Sequence, residues 1–542
     1  MTKEKSNPDI MKITAIIPAR AGSKSIPNQN IRIINGHPLV YYIINTAKQS
    51  RYIEDIIVST DSKEIGIVAE QLGVKIRWRD ESLSGDDSTI DAVIYDALEM
   101  DNNSDFIITL QPTSPLLKVE TLDKAIEYTV SNDYDTLISV INDQRYTWSV
   151  SGDKRTPNYE KRINRKSLPA NYVETGAFLI SKKSSITEDS RIGKNVDIFE
   201  IPFEESYGID SLENLNLVKF LMQRKKSAIY VNGNNERGMG HIYRALEIAD
   251  ELYMKPDIYF NSNETDISIF GNTRHNLIAV ESDDELFEAC SKEKYEIFIN
   301  DILDTNVSYM DGLKHALGNA KIINFEDDGD GILKADVVFN ALYTKNIMAH
   351  VYAGEKYYIA GRQFLYYEPI KISDQVKRVF ISFGGADPQN YTERLLKIIS
   401  KDSYKDYDFT VVVGRANLNK DKLFSYKGDN IEILFDVNNM PQLMSECDVA
   451  VTSRGRTGYE LALMGIPTIA IAQNEREEKH SFVSNENGFS YIGRSPDDGI
   501  IEGNLKMYLT MSKDVRQNFQ NTMLSHDLRS GRNRVMGIIN NL

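Results

Sequence analysis

Two cations lie within one short loop near the start of the chain, directly after an apolar run that is typical of a buried strand. The run at 13–17 leads into a loop that carries Arg20, Ser23 and Lys24. A strand that ends in small residues lets backbone N–H groups approach phosphate oxygens, and the two cations would offset the phosphate charge. An ordinary strand–helix loop with solvated basic side chains fits the same residues. The spacing matches neither the P-loop nor the three-glycine dinucleotide pattern.

A second suggestive motif lies in the middle of the chain, between a predicted strand at 229–231 and a predicted helix at 242–252. It has the pattern Gly-x-Gly-His-x-x-Arg and ends with Gly240, His241 and Arg244. Glycines permit a tight turn, and the N-terminus of a helix favours an anion or a neutral imidazole. A single histidine at a helix start is more often structural than catalytic, so the signal comes from the combined motif.

Two further loops follow apolar runs in the last third of the chain. One predicted strand ends before Gly384 and Gly385, and another ends before Ser453. The second loop continues through Gly455 into a predicted helix. This repetition of strand, glycine loop and helix is the local pattern of nucleotide-binding α/β folds.

Strands that alternate with helices must position these loops. In the first part of the chain, the predicted strands are 13–17, 53–59, 74–78, 106–110 and 137–140. The helical segments between them imply a mainly parallel sheet with helices on both faces. Ligands bind beyond the carboxyl ends of such strands. Arg20, Asp61 and Gln111 each follow a predicted strand, so we expect them at one edge of the sheet.

The length of 542 residues is too great for a single hydrophobic core. We predict an α/β protein with three domains. A Rossmann-like domain with a mainly parallel sheet spans 1–225, and a GT-B-like pair of doubly wound domains spans 226–372 and 373–542. In that pair the glycine loops would face each other across a cleft that holds a nucleotide.

Composition excludes several classes of function. The formal net charge of −16 argues against a nucleic-acid-binding protein, which normally presents a basic face. Two cysteines, Cys290 and Cys447, lie far apart and indicate neither a disulfide framework nor a zinc site. No signal peptide or membrane-length apolar run is apparent, so we expect a cytoplasmic protein without membrane partners.

Four segments of the first part follow one another along the chain: Ala-Arg-Ala-Gly-Ser-Lys at 19–24, Ser-Thr-Asp at 59–61, Arg79, and Leu-Gln-Pro-Thr-Ser-Pro-Leu at 110–116. In this order and spacing they resemble the CMP-sialic acid synthetases (acylneuraminate cytidylyltransferases). The likeness covers about the first 225 residues and implies a nucleotidyltransferase domain at 1–225. Such a domain transfers CMP from CTP to a nine-carbon 2-keto-3-deoxy sugar acid (a nonulosonic acid) and releases pyrophosphate. Relatives of this kind commonly form homodimers through this domain.

The resemblance also implies roles for individual residues. Those for CTP are Arg20, Ser23, Lys24, Asn30 and Arg79, and those for the sugar acid are Gln111 and Arg165. Arg20 and Lys24 would stabilise the leaving pyrophosphate, and Arg165 would contact the substrate carboxylate. Asp210 would hold Mg²⁺, with triphosphate oxygens and water as the other ligands. Asp210 could instead serve only to cap the helix that follows it.

The chain departs from the family pattern at three positions. Gln29 stands where the family usually has a lysine, and Gly208 stands where it usually has a second aspartate. We expect these two changes to weaken polyphosphate and metal binding together. Val173 occupies a position where some sialate-specific members have an arginine, so the exact sugar acid is left open.

The rest of the chain resembles the UDP-sugar hydrolase of pseudaminic acid synthesis and the related spore-coat polysaccharide proteins. The likeness rests on the Gly-x-Gly-His-x-x-Arg motif, on Gly-Gly at 384–385 with Asp-Pro at 387–388, and on segment 455–460. It implies hydrolysis of a UDP-linked deoxyamino sugar with His241 as general base. The residues implied for the nucleotide sugar are Gly240, Gly384, Gly385, Ser453, Gly455, Arg456, Thr457 and Glu460. Glu460 would hold the ribose hydroxyls, and the loop at 455–457 would hold the diphosphate.

Alternatives remain open for the second half. Arg456 stands where relatives often have a small residue, so it either adds a cation for the diphosphate or blocks the site. The GT-B-like pair could be a glycosyltransferase that transfers the sugar to an acceptor instead of to water. Alternatively, one domain of the chain could bind nucleotide without catalysis, and Gln29 and Gly208 favour this for the first domain.

Overall fold

The computed structural model describes residues 11–22, 25–85, 88–101, 103–233, 240–343 and 348–542. The chain divides into two compact units, Met1–Gln223 and Arg224–Leu542. Ser23, Lys24 and Gly238, the first glycine of the Gly-x-Gly-His-x-x-Arg motif, lie outside the described residues. No helix in the described ranges is long and apolar enough to cross a membrane.

The first unit contains eleven strands and five α-helices among its described residues. The strands are β1 (Ile13–Pro18), β2 (Ile33–Ile34), β3 (His37–Pro38), β4 (Ile53–Thr60), β5 (Lys75–Trp78), β6 (Phe106–Leu110), β7 (Thr136–Asn142), β8 (Trp148–Ser151), β9 (Lys154–Pro157), β10 (Tyr172–Lys182) and β11 (Val196–Glu200). The helices are α1 (Leu39–Gln49), α2 (Lys63–Gln71), α3 (Ile90–Ala97), α4 (Val119–Asn132) and α5 (Leu212–Gln223).

The main sheet of the first unit has the strand order β11-β7-β10-β6-β1-β4-β5. Every pair is parallel except the two pairs of β10, which runs antiparallel to β6 and β7. In this order β4 lies on one side of β1, and β6, which comes later in the chain, lies on the other side of β1. A ligand crevice is expected at such a switch in strand order, beyond the carboxyl ends of β1, β4 and β6.

Alternating burial along the strands explains why helices cover both faces of this sheet. Ile108 and Leu110 of β6 belong to the larger apolar layer, which includes α1 and α4. Ile107 belongs to a smaller layer on the opposite face, with Ile94 of α3. The side chain of Thr89 accepts the N–H of Ala92 and so fixes the start of α3 beside the sheet edge.

The second unit begins with a Rossmann-like half. Its strands are β12 (Ser227–Val231), β13 (Asp257–Asn261), β14 (Asn276–Val280), β15 (Ile297–Asp301), β16 (Lys321–Phe325), β17 (Val337–Asn340) and β18 (Val351–Ala353), and its helices are α6 (Gly240–Glu251), α7 (Asp283–Ser291), α8 (Val307–Leu317) and α9 (Arg362–Leu365). All pairs in this sheet are parallel, in the order β14-β13-β12-β15-β16-β17-β18.

A second doubly wound half follows. Its strands are β19 (Arg378–Ser382), β20 (Asp408–Val413), β21 (Ile431–Phe435), β22 (Val449–Ser453), β23 (Thr468–Ala472) and β24 (Phe489–Arg494). Its helices are α10 (Tyr391–Ile399), α11 (Lys420–Phe424), α12 (Met440–Ser445), α13 (Arg456–Met464), α14 (Glu475–Glu478), α15 (Asp498–Leu509), α16 (Lys513–Leu524) and α17 (Gly531–Asn540). This sheet is also parallel, in the order β21-β20-β19-β22-β23-β24.

The predicted fold class is confirmed, because the sheets are mainly parallel and the second unit contains two successive doubly wound halves. Strand order reverses between β12 and β15 in one half and between β19 and β22 in the other. These switch points position the loops after the four strands. The last helix, α17, returns to the first half, where Val535 and Ile539 join its apolar core.

Candidate functional site

The loop after β1 is folded over the edge of the first sheet by contacts with its neighbours. The N–H of Ala21 donates to Oδ1 of Asp61 at 2.7 Å, and Nδ2 of Asn30 donates to the carbonyl of Arg20 at 2.9 Å. The guanidinium of Arg20 donates to the carbonyl of Gly85 at 3.2 Å. The loop that carries Arg20 is thus joined by a direct hydrogen bond to Asp61, the residue that follows β4.

Arg79 adds a second guanidinium to this edge. It donates from Nη2 to the carbonyl of Ser59 at 2.8 Å and from Nε to the hydroxyl of the same residue at 3.3 Å. Burial lowers the pKa of Arg79 below its usual value, and the charge of Arg20 lowers it further, whereas Asp61 opposes both effects. A bound anion would stabilise the half-buried Arg79 beside the charge of Arg20, as in a polyphosphate cradle.

The hydrogen bonds of the preceding residue, Ile209, place Asp210 at the same edge of the sheet. The N–H of Ile209 donates to the carbonyl of Thr113 at 2.8 Å, and Nε2 of Gln29 donates to the carbonyl of Ile209. The carboxylate of Asp210 is exposed and accepts a hydrogen bond from Nδ2 of Asn214. The segment that carries Asp210 therefore lies between the loop after β1 and the loop after β6.

The same contacts account for one departure from the family pattern. Gln29 is only 9% exposed, and its amide binds backbone instead of facing solvent. A cation at this buried position would need a partner that the backbone alone does not provide. Gly208 lies in open space, because a Cβ added there would meet no atom within 4 Å, so packing does not exclude an aspartate.

A metal ion at this edge would have few ligands from the protein. Among the described residues, no group of three or more His, Cys, Asp or Glu side chains could hold a metal ion. The exposed carboxylate of Asp210 supplies one oxygen ligand of the kind that Mg²⁺ prefers. The residues therefore fit a Mg²⁺ ion whose remaining ligands are substrate oxygens and water.

Gln111 lies at the end of β6 beside a tight backbone position. Gly176 has φ +71°, and a Cβ there would lie 3.3 Å from Nε2 of Gln111. Glycine at 176 thus permits both the backbone conformation and the position of the Gln111 amide. Arg165 is exposed beyond the end of β7, where Nε donates to the carbonyl of Gln144 at 3.0 Å and the guanidinium pairs with Asp143. No hydrogen bond joins the described side chains of Arg165 and Gln111.

The second unit contains a buried histidine–carboxylate pair at the switch point of its first sheet. His241 is the second residue of α6, and Asp301 ends β15. Nδ1 of His241 is hydrogen-bonded to Oδ1 of Asp301. Because a carboxylate only accepts, Nδ1 carries the proton and Nε2 of the neutral ring is left as an acceptor. Nε2 has no hydrogen-bond partner within the described ranges.

Arg244 fixes the carboxylate of this pair. Its Nε donates to Oδ2 of Asp301 at 2.7 Å, and its Nη1 donates to Oε1 of Glu326 at 3.1 Å. Arg244, Asp301 and Glu326 are all buried. A buried guanidinium held between two carboxylates gives a rigid support for the histidine ring.

The environment keeps His241 neutral. Burial lowers the pKa of His241 below its ordinary value of 6.5, although the charge of Asp301 opposes this effect. Burial alone would raise the pKa of Asp301, but Arg244 and His241 outweigh it and lower that pKa to about 2. The pair is therefore an ionised carboxylate beside a neutral imidazole, which is the state that accepts a proton.

The loops of the second half lie next to this pair. Arg456 begins α13, and its Nη1 donates to the carbonyl of Gly240 at 2.9 Å. A Cβ on Gly240 would lie 3.0 Å from Cδ of Arg456, so a side chain at 240 would collide with this contact. Arg456 thus reaches from the start of α13 to the start of α6, and both interpretations of this residue stay predictions.

Glu460 follows Arg456 by one turn of α13. Burial raises the pKa of Glu460 to about 7, and the charge of Arg456 keeps it from rising further. Within the described ranges, its carboxyl forms no hydrogen bond or ion pair. The role of Glu460 towards the ribose hydroxyls stays a prediction from the resemblance.

The remaining predicted residues line the edge of the second half. Gly384 has φ +74°, and Gly414 approaches it so closely that a Cβ on Gly414 would lie 2.3 Å from the carbonyl oxygen of Gly384. A Cβ on Gly455 would lie 3.1 Å from the hydroxyl of Ser453. The other predicted residues of this edge, Gly385 and Thr457, follow β19 and open α13 respectively.

Sequence reasoning missed the carboxylates that support His241. Asp301 and Glu326 each begin an acidic segment of a kind that is often solvated or caps a helix, but both side chains are buried. Their position directly after apolar strands was the available signal. A carboxylate at the carboxyl end of a buried strand faces the crevice of a doubly wound sheet, not bulk water.

Comparisons with known proteins find similar sequences mainly for the first part of the chain. Residues 14–243 match the family model described as Cytidylyltransferase. The chain is 46% identical over 122 residues to the CMP-N,N'-diacetyllegionaminic acid synthase of Legionella pneumophila, a match that covers 22% of this chain and 53% of that protein. It is 28% identical over 279 residues to an uncharacterized protein of Methanocaldococcus jannaschii, over 47% of this chain and 57% of that one.

The chain spans about half the length of these curated relatives. Among solved structures, MurG of Acinetobacter baumannii is 12% identical and has a TM-score of 0.45, over 59% of this chain and all of that chain.

Proposed function

We propose that the unit Met1–Gln223 transfers CMP from CTP to a nonulosonic acid. The anomeric hydroxyl oxygen of the acid attacks the α-phosphorus, the bond to pyrophosphate breaks with its electron pair on the pyrophosphate oxygen, and the hydroxyl proton passes to solvent water. The observation that supports this most is the proximity of the two cations Arg20 and Arg79 at the edge of the sheet. The segments that carry Gln111 and Asp210 lie next to them. The match to the Cytidylyltransferase family and the likeness to a CMP-N,N'-diacetyllegionaminic acid synthase point the same way.

Positioning and charge neutralisation supply most of the catalysis in such a transfer. Arg20, with Lys24, would neutralise the pyrophosphate as it leaves. Asn30 fixes the loop through the carbonyl of Arg20 and, with Ser23 and Arg79, would bind the nucleotide. Asp210 would hold Mg²⁺, which when bound would offset part of the triphosphate charge.

The sugar acid would lie beyond β6 and β7. Gln111 would orient it, and the exposed guanidinium of Arg165 would bind its carboxylate. A homodimer through this unit is part of the proposal, since the ribbon of β8 and β9 is exposed along its whole length.

Pyrophosphate release tests this proposal. Purified protein with CTP and Mg²⁺ is supplied with sialic, legionaminic or pseudaminic acid, and release is expected with at least one of them. Binding of CTP without release of pyrophosphate from any of the acids would instead indicate a non-catalytic nucleotide-binding unit.

For the second unit we propose hydrolysis of a UDP-linked deoxyamino sugar. The supporting observation is the neutral His241 whose Nδ1 is bound to buried Asp301. Nε2 would take a proton from water as the water oxygen attacks the anomeric carbon, and UDP would leave with the electron pair of the cleaved bond. Glu460 would hold the ribose, and the residues Gly455 to Thr457 would hold the diphosphate.

A glycosyltransferase is the second candidate for this unit, since a general base could equally activate an acceptor hydroxyl. Release of free sugar and UDP without any acceptor would support hydrolysis. Turnover that occurs only after an acceptor is added would support the transferase.

A further inference from the structure

Arg476 joins the two halves of the second unit at the loops that carry the support of His241. It lies in α14, which follows β23 of the second half. Its Nε donates to the hydroxyl of Tyr343 at 2.6 Å. Its terminal nitrogens donate to the two carboxylate oxygens of Asp304 at 3.3 and 3.2 Å, and Nη2 also donates to the carbonyl of Glu326 at 3.2 Å. These partners all belong to the first half, so one guanidinium from the second half fixes three groups of the first.

Both loops that Arg476 contacts contain a residue with a left-handed backbone. Leu303, between Asp301 and Asp304 in the loop after β15, has φ +73°, and Glu326, directly after β16, has φ +52°. Residues other than glycine rarely adopt this conformation, and it persists only where the surrounding contacts fix it. Arg476 binds the side chain next to the first of these positions and the carbonyl of the second. It is therefore placed to hold both turns.

The same two loops carry the carboxylates that support the histidine. Asp301 binds Nδ1 of His241, and the carboxylate of Glu326 binds the arginine that also binds Asp301. The loops are joined to each other as well, because the N–H of Asp328 donates to Oδ1 of Asp304 at 2.9 Å. A shift of either loop would therefore displace the carboxylates that fix the imidazole.

Glu477, the next residue of α14, contacts the loop after β22 instead. Its Oε2 accepts the N–H of Gln473 at 2.8 Å, and a Cβ on Gly455 would lie 3.3 Å from its Oε1. Within the described ranges, the side chain of Arg476 forms hydrogen bonds only with groups of the first half. Loss of its guanidinium should therefore disturb the support of the histidine and leave the loop expected to hold the diphosphate in place.

We propose that Arg476 is a positioning residue for His241, because it holds the loops after β15 and β16 in the arrangement in which Asp301 fixes the proton on Nδ1. The inference rests on the proposed UDP-sugar hydrolysis, since it names a residue of the second half on which the reacting histidine of the first half depends. The ion pair of Arg476 and Asp304 is partly exposed, with side-chain exposures of 35% and 46%, and such pairs add little stability. The contacts matter through the geometry that they impose, since a displacement of about 1 Å at a catalytic group can cost about 10²-fold in rate.

Arg476→Met tests this role, because methionine keeps an unbranched apolar stem and removes every donor. The kcat of UDP-sugar hydrolysis, measured as UDP release, should fall about 10- to 100-fold. KM for the UDP-sugar and the calorimetric Kd of UDP should change by less than about twofold, because the loss concerns the chemical step and not binding. Retained binding of UDP also shows that the second unit of the variant is folded. Asp304→Ala removes the same ion pair from the first half and should give the same split between kcat and KM.

Lys479→Met is a matched control. Lys479 follows α14 and forms an ion pair with Asp328 of the first half at 3.1 Å, so it also bridges the two halves. Among the described residues it forms no hydrogen bond or ion pair with Asp304 or Glu326. The control should keep kcat within about twofold of wild type, because a single exposed ion pair contributes little.

The ring nitrogens of His241 give a readout that needs no turnover. Nitrogen NMR of protein with isotope-labelled histidine distinguishes a protonated ring nitrogen from a bare one, and His241→Gln identifies its signals among those of the seven histidines. Wild type and Lys479→Met should show a protonated Nδ1 and a bare Nε2, whereas Arg476→Met should show a mixture of both tautomers.

Three results would overturn the inference. They are an unchanged kcat in Arg476→Met, a fall in kcat without a change of tautomer, and a Kd of UDP that rises as much as kcat falls, which would make Arg476 a direct nucleotide ligand. If the wild-type protein cleaves no UDP-sugar but the tautomer changes in Arg476→Met and not in Lys479→Met, the proposed hydrolysis is refuted and the positioning role stands.

Discussion

Replacement of Asp301 by asparagine tests how the second unit keeps His241 in its reactive state. Asp301 is fully buried and receives hydrogen bonds from His241 and from Arg244. An asparagine amide at this position can donate to Nδ1. The neutral imidazole would then carry its proton on Nε2, which is the nitrogen that must accept a proton from water.

Two effects of different size follow from this geometry. Loss of the charge leaves Arg244 with Glu326 as its remaining carboxylate, and removal of one partner of a buried ion pair costs about 3–5 kcal/mol of stability. The wrong tautomer of a catalytic histidine lowers turnover about 10⁴-fold, which equals about 5.4 kcal/mol of transition-state stabilisation. Catalysis should therefore be lost even in the fraction that remains folded.

Glu326→Gln separates the two effects. Glu326 is buried and accepts from Arg244 at 3.1 Å, but its carboxylate is not hydrogen-bonded to His241. Both variants are expected to lower the midpoint of urea unfolding. UDP-sugar hydrolysis, measured as UDP release well below that midpoint, should fall about 10³–10⁴-fold in Asp301→Asn and less than tenfold in Glu326→Gln.

Either of two results would contradict this role of Asp301. Asp301→Asn could retain more than a tenth of wild-type turnover while folded, in which case the tautomer is not set by Asp301. Alternatively, the two variants could lose turnover equally, and the carboxylates would then act only through the stability of Arg244.

Three further predictions concern the two sites. His241→Ala should abolish only UDP-sugar cleavage and Arg20→Ala only CMP transfer, measured as UDP and pyrophosphate release; loss of both activities in either variant contradicts separate sites. Glu460 has a folded-state pKa of about 7 against 4.5 for an ordinary glutamate, so its burial costs stability increasingly as pH rises from about 4.5 to 7. Glu460→Gln lacks this cost, so urea unfolding should show the variant becoming more stable than wild type as pH rises over that range. The difference in free energy of unfolding should reach at most about 3 kcal/mol and stay constant above pH 7. A difference that does not change with pH would contradict this. Gly176→Ala places a Cβ 3.3 Å from the Gln111 amide at φ +71°, so it should raise KM for the sugar acid and leave KM for CTP unchanged, and the opposite pattern counts against Gln111 as a sugar ligand.

Much of the fold was predictable from local patterns. The apolar run at 106–110 is β6 as predicted, and Arg20, Asp61 and Gln111 follow strands whose carboxyl ends share one edge. The segment after β7 is polar in sequence, yet it contains the ribbon of β8 and β9. Its strands are exposed, so they lack the apolar alternation on which strand prediction depends.

The sequence by itself determined where the buried strands end and where the glycine loops after them lie, because apolar runs and glycine positions act over a few residues. It also determined the family likeness of the first part through several short motifs. Only the tertiary structure decided that Asp301 meets His241 across 60 residues, that Gln29 turns inward to the carbonyl of Ile209, and that Arg476 reaches the carbonyl of Glu326. Such contacts depend on the order of the strands in each sheet and on which polar groups are buried when the domain folds. Neither property follows from the few residues around each position.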